Sequence, residues 1–400
     1  MKKTLLLSVV ASGLLFAGGD IAPIEPAVVA PVPVAESGWK FSGQAVVYYE
    51  TNDGWGFNDV FDQDSSVANA GIQLTATNDN LVGGVGFGVQ LNGIGTLGLE
   101  EDVVSGVMQS ANGDLNGGYI SQLYLTYGIN NTSFKVGRQE LPKALSPFAF
   151  SEDWNVFKNT FNAALVVNTD IPNTTLVGAW VRDANHNHYG TNIGDFDKLN
   201  GNDGIWMLTA QNKSIDNLTL TGSFYYANDY ANILWADAGY NAGIVNIALQ
   251  GGAVWFDASG TTDTKAFGAK VSSKLFDKVN ASLAYSYIND SNAGIFNVGG
   301  NSSVLYTDML SDEQYPFQRR YNNKFVVRAD ADVLGGNLGA AYSYEDAKYS
   351  TNETIKEFNL YYSTKIANNM DLSATYGYLE PNSMSPDTLN TIRLIGRYNF

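Results

Sequence analysis

Two histidines, a run of aspartates and a few carboxylate pairs are the residues whose types could do chemistry. His186 and His188, in the segment NHNHYG, have the spacing that sets two imidazoles on one side of an extended chain, where they could ligate a metal. With no cysteine in the sequence and no third ligand nearby, a solvated loop is the stronger reading. Asp59, Asp62 and Asp64, with Asp53 close by, could offer oxygens to Ca2+, but they lack the spacing of an EF-hand. Glu100-Glu101 and Glu152-Asp153 could exchange protons. No nucleophile or orienting group stands beside these pairs, and neither histidine adjoins a serine motif. An enzyme is therefore not expected, and Ca2+ is the one cofactor the pattern leaves open.

The cations are more informative, because they keep a period of two. Lys270, Lys274, Lys324, Arg328, Lys365, Arg393 and Arg397 alternate with lipid-suited residues such as Phe267, Val271, Phe325, Val327, Leu394 and Tyr398. In a strand that crosses a membrane, this alternation puts the charges in the lumen, since a charge facing lipid at mid-depth costs about 2 to 4 kcal/mol.

The elements that would hold them are strands. Phe358, Leu360, Tyr362 and Ile366 share one face; after the turn Ala367-Asn368-Asn369, Met370, Leu372, Ala374, Tyr376 and Tyr378 share another. Similar segments recur from 39–49 to 390–400, with no sustained helical period. The expected fold is all-β, a transmembrane antiparallel β-barrel of about 18 strands, with 16 as the alternative count. Short turns, among them Asn78–Asn80, Asn130–Asn131 and Ala367–Asn368, alternate with long connections at 50–66, 92–118, 139–159, 183–203, 290–323 and 381–389. That asymmetry predicts periplasmic turns and external loops. Gly84, Gly86 and Gly88 are expected on the inner face, leaving room for a loop or letting the sheet bend.

Residues 1–18 read as a signal peptide: Lys2 and Lys3 precede an apolar run too short to span a bilayer as a helix, and small residues follow. Residues 19–38, with Pro23, Pro26, Pro31 and Pro33, read as a periplasmic linker, and 39–400 as the barrel. Acidic residues outnumber basic ones 40 to 23, which argues against nucleic acid as a partner and suits an outer membrane rich in lipopolysaccharide and divalent cations.

The stretch Val136–Asn168, VGRQELPKALSPFAFSEDWNVFKNTFNAALVVN, followed by TDIPNTTLVGAWV, resembles the epsilonproteobacterial porins related to the major outer-membrane protein and OprD-type families. In that pattern a strand ends in Gly-Arg-Gln, a loop folds inward, and an Asp-Ile-Pro turn joins two further strands; Pro142-Lys143 departs from it. The resemblance implies a wide barrel of 18 strands, often trimeric. A barrel of that size encloses water unless something fills it. The expectation is therefore a porin passing ions and small hydrophilic solutes, narrowed by loop 139–159. Glu140, Glu152 and Asp153 on that loop would face Lys270, Arg328, Arg393 and Arg397 on the wall, setting a transverse field. A substrate-specific channel, or a plugged adhesive barrel covered by loop 290–323, are the alternatives.

Overall fold

The structure, a computed structural model, describes residues 38–291, 293–314, 321–348, 352–381 and 388–400. The expected signal peptide and all but the last residue of the expected linker lie outside them. Among the described residues eighteen strands form one closed antiparallel barrel. They are β1 Lys40–Asp53, β2 Ser66–Val82, β3 Val85–Gly95, β4 Gly117–Ile129, β5 Thr132–Gln139, β6 Phe161–Asn168, β7 Thr174–Ala184, β8 Ile205–Asn212 and β9 Leu218–Ala227. The second half comprises β10 Ala231–Asn241, β11 Val245–Phe256, β12 Thr264–Leu275, β13 Val279–Ile288, β14 Tyr321–Val333, β15 Gly336–Lys348, β16 Asn352–Ile366, β17 Met370–Pro381 and β18 Leu389–Asn399.

Each strand pairs with its sequence neighbours, and β18 pairs with β1 from Asn390↔Asp53 to Asn399↔Gln44. This last ladder closes the ring. It extends one step further, where Gly43 N donates to Phe400 O at 2.8 Å and Phe400 N donates to Gly43 O at 3.0 Å. A side chain at Gly43 would collide with the Phe400 ring, which lies 2.6 Å from where its Cβ would be. The terminal aromatic therefore seats in a recess that only glycine leaves open.

Alternation decides which side chains face out. Leu74, Leu125, Val136, Leu208, Leu249, Leu283, Val327, Leu360 and Leu394 are exposed on the outer surface, while their sequence neighbours Gln73, Lys135, Thr209, Gln250, Ser282, Arg328, Asn359 and Arg393 face inward. Aromatic residues edge this apolar band at both ends: Trp39, Phe41 and Phe87 at the short-turn end, Trp180, Trp206, Trp255 and Tyr287 at the long-loop end.

One turn differs from expectation. The reversal between β2 and β3 is not at Asn78–Asn80 but at Gly83–Gly84, both with positive φ, after a register shift between Asn78 and Val82. Asn80 Oδ1 accepts from Gly84 N at 2.9 Å, so the asparagines brace the turn rather than form it. Gly84 thus belongs to the turn. Gly86 and Gly88 face inward, and the Tyr124 ring lies over Gly88, where a Cβ would meet it at 2.3 Å. Wall glycines that receive a loop are Gly71, against the Phe157 ring, and Gly377, against Leu310.

Replacing Gly43 with valine should impair barrel closure and sharply reduce the folded, heat-modifiable band on gel electrophoresis. Gly222→Val, at a site with no atom within 4 Å of the added Cβ, should leave that band intact.

Candidate functional site

Two loops enter the lumen. Loop 140–160, between β5 and β6, is strapped at both ends. Its first half buries Leu141, Leu145 and Phe148 against Val167, Val177, Val181, Met207, Tyr225 and Trp235, lumen-facing residues of β6 to β10. Phe148 meets the Tyr225 and Trp235 rings edge-on at 5.6 and 5.4 Å, and its N–H donates to Tyr225 Oη at 3.1 Å. The second half buries Trp154, Val156 and Phe157 with Val46, Tyr48 and Val67 of β1 and β2. The loop therefore crosses from one wall to another.

The second loop runs from 289 into a short helix, α1 Leu310–Gln314. The sequence suggested that 290–323 would cover the mouth or meet a partner; the described part instead lies inside the barrel. Ile295, Val304 and Leu305 join the apolar cluster of the first loop, and Leu310 packs against Gly377 of β17.

Most of the expected constriction charges fasten this second loop. Arg393 Nε contacts Glu50 at 2.9 Å and its Nη1 contacts Glu313 at 2.9 Å, with the Trp154 ring centroid 5.1 Å from the guanidinium carbon. Gln314 Nε2 and Tyr48 Oη donate to the same Glu50 carboxylate, at 2.5 and 2.7 Å. Arg328 donates to Tyr306 O at 3.1 Å and to Asp308 O. Lys324 bridges Asp312 at 2.5 Å and Glu345 at 3.4 Å. Lys270 lies 5.9 Å from the Tyr306 ring centroid and is buried.

Glu152 differs most from its expected place. It faces neither water nor the basic wall, but accepts from Trp154 Nε1 at 2.7 Å, Asn297 Nδ2 at 2.8 Å and Ser302 N at 2.9 Å. Burial pushes its carboxyl up to about 7, against the hydrogen bonds that pull it down. Glu152, Lys270, Arg328 and Arg393 are thus buried beneath loops, because a charge at a loop-wall contact is better satisfied by a fixed partner than left half-hydrated.

The remaining expected residues meet in a line of alternating charge that water reaches. Gln122 of β4 donates to Glu140 at 2.9 Å. Lys158 stands 3.8 Å from Glu140 and 3.4 Å from Asp153, and Asp153 stands 3.8 Å from Arg397 of β18. Arg397 also donates to Asn155 O at 2.6 Å and Val156 O at 2.9 Å. Side-chain exposures of 35% for Glu140 and Lys158, 21% for Asp153 and 15% for Arg397 set this line apart from the buried Arg393 group. Asp153, first, and then Glu140 hold the Lys158 ammonium above its ordinary range. Beside the line, Lys135 Nζ lies 3.9 Å from the Tyr124 ring centroid.

Lys135 was legible from its alternation with Phe134 and Val136, and the wall carboxylates Glu50, Glu345 and Glu357 from the same rule. The inward course of the second loop had no such signal. At the long-loop end, the His186 and His188 rings stack with centroids 5.3 Å apart, and burial holds both below their usual pKa. Among the described residues no group of three or more potential metal ligands forms, around the aspartates 53 to 64 or elsewhere.

No family model matches the chain, and no curated protein matches it by sequence. Its backbone is similar to solved barrels. Pseudomonas aeruginosa OccK8 (OprE) matches with a TM-score of 0.72 and 17% identity over 90% of this chain and 98% of that one. Acinetobacter baumannii OccAB3 matches with 0.74 and 15% over 90% and 99%. Pseudomonas aeruginosa OpdK, solved with vanillate, matches with 0.73 and 13% over 90% and 98%.

Two outcomes test the fastening. Arg393→Ala leaves Glu50 and Glu313 buried without their cation and should destabilise the folded protein by about 3 to 5 kcal/mol in denaturant titrations. Because the folded state raises the Glu152 pKa from 4.5 to about 7, its share of stability is full below pH 4.5 and lost as pH rises through 7, about 3 kcal/mol at most. Protection factors of loops 140–160 and 289–314, which are relative to the intrinsic exchange rate at each pH, should accordingly fall between pH 5 and 8, and Glu152→Gln should flatten that dependence.

Proposed function

We propose that this chain is an outer-membrane channel through which ions and small hydrophilic solutes diffuse passively, with its passage narrowed by the two inward loops. The observation that carries this reading is the water-accessible charged line Glu140, Lys158, Asp153 and Arg397 inside a closed barrel whose outer face is apolar. Polar lumen and apolar exterior are the arrangement a barrel needs to hold water while sitting in lipid. The long-loop end faces outward in this reading, and the short turns face the periplasm.

A substrate-specific channel is the second reading, favoured by the backbone similarity to OpdK, which was solved with vanillate. The lumen here gives a carboxylate such as vanillate few free cations. Arg393 and Lys324 are neutralised by Glu50, Glu313, Asp312 and Glu345, and Arg328 is bound to loop carbonyls. Lys158 and Arg397 are both shared with Asp153. That supports passage by size and field over a dedicated carboxylate site.

Folded protein in planar bilayers should give open, stepwise currents; a well-folded barrel without currents overturns the channel. Asp153→Asn should lower, and Arg397→Gln raise, the cation-to-anion permeability ratio by about two- to fivefold at low salt, since one charge at contact distance in water is worth about 1 kcal/mol. Reversal potentials across a salt gradient read the change. Added vanillate should leave the salt current unchanged; saturable block would move the reading to the specific channel.

A further inference from the structure

A row of cations on the outer face, at the long-loop end, takes no part in the lumen. Phe161, Ala163 and Ala184 point inward, buried in the apolar cluster, so Asn162, out of phase with them, points outward. Residues opposite one another in a ladder share a face. Arg138 is opposite Asn162, Asn162 is opposite Asp183, and Asp183 is opposite Lys198 on the returning loop. The register shift at Asn162/Ala163 inserts Arg182 as an extra residue next to Asp183 on that face. Three cations are thus spread over four neighbouring backbone segments, about 14 Å at the usual strand spacing.

Each is held in place, Arg182 by an ion pair with Asp183. The Arg138 guanidinium stacks on the Phe196 ring at 3.6 Å, and its Nη1 donates to Ile120 O at 2.6 Å while Nε donates to Asn162 Oδ1 at 3.3 Å. Asn162 in turn donates to Asp183, and Arg182 Nε lies 3.3 Å from the other oxygen of that carboxylate. Lys198 donates to Asn202 Oδ1 at 2.6 Å. The Arg182 side chain is 51% exposed and that of Asp183 only 8%, so the cation shows outward and the anion sits beneath it. Of the other carboxylates nearby, Asp203 accepts from Asn228 and Asp195 from Asn192, while Asp197, its side chain 75% exposed, stands 3.9 Å from His186 Nε2.

This row stands out against its surroundings, because acidic residues outnumber basic ones in each of the longer connections at this end. Elsewhere on the rim, Lys356 is paired with Glu380, and Lys348 with Asp290. Just below the row, Trp180 and Trp206 face outward as a cross-strand pair, the position aromatic residues take at the boundary between hydrocarbon and headgroups.

We propose that Arg138, Arg182 and Lys198 bind the headgroup of a phosphorylated glycolipid of the outer leaflet. A row of this length exceeds the reach of one phosphate and suits a sugar headgroup carrying two, with Arg182 and Lys198 offering charge-assisted hydrogen bonds. The site rests on the outer face lying in the outer membrane with its long loops outward, and it is independent of whether the lumen conducts.

The test uses delipidated, refolded full chain titrated in detergent with bisphosphoryl lipid A, monophosphoryl lipid A or inorganic phosphate, with retained lipid read by native mass spectrometry. The expected result is retention of bisphosphoryl lipid A, several-fold weaker retention of the monophosphoryl form, and no displacement by millimolar phosphate. The double variant Arg182→Gln/Lys198→Gln should lose about tenfold in retention while keeping wild-type heat-modifiability and conductance. Equal retention by that variant, or equal retention of both lipids, overturns the proposal; so does displacement by phosphate, which would make the row a simple anion site. A conducting barrel that retains no lipid removes the lipid site alone, and a lipid-retaining barrel that does not conduct removes the channel alone.

Discussion

In hydrocarbon an unpaired backbone amide costs several kcal/mol, and a sheet has two edges full of them. Everything else in this chain depends on removing those edges. The β1–β18 ladder does so, and its last bonds come from Gly43 and Phe400. Once the ring is closed, strand number fixes its width, and a width set by eighteen strands leaves an interior too large for wall side chains to fill.

The interior is managed by two loops under different rules. Loop 140–160 is attached mostly by apolar burial at both of its ends. The 289–314 segment is attached mostly by charge, through Glu313, Asp312 and the carbonyls near Tyr306 and Asp308. Ion pairs out of water are favourable only when their remaining valences are met. The crowded partners of Glu50, two of them neutral donors, meet that condition on the carboxylate side, whereas Arg393 Nη2 is buried without a hydrogen-bond partner among the described residues. What remains accessible is a short line in which positive and negative groups alternate, so the field along it is local and changes sign within a few ångströms.

Much of this was legible from alternation alone. Strand positions, inward cations and the inward course of the first loop follow from a period of two and from residues such as Phe148 and Trp154 that need a wall to bury against. The β2–β3 turn was misplaced because asparagine and glycine both tolerate left-handed backbone, and only the register shift decides between Asn78–Asn80 and Gly83–Gly84. Parity says which face a charge is on, not whether a loop will cover it. Arg393 and Arg397 share a strand and a face, yet one is buried and the other touches water, because Glu313 comes from a segment 80 residues away in sequence. Long-range choices of that kind leave no local mark.

Glu152 joins the two loops through donors on both sides of nearly 150 residues of chain. Its carboxylate can be satisfied only while Asn297 and Ser302 stand where they do. The loops are therefore one unit of inheritance as well as one unit of structure. A lineage that alters the first must alter the second in step, and a loop grafted alone into another barrel of this width would arrive without the donors that hold it.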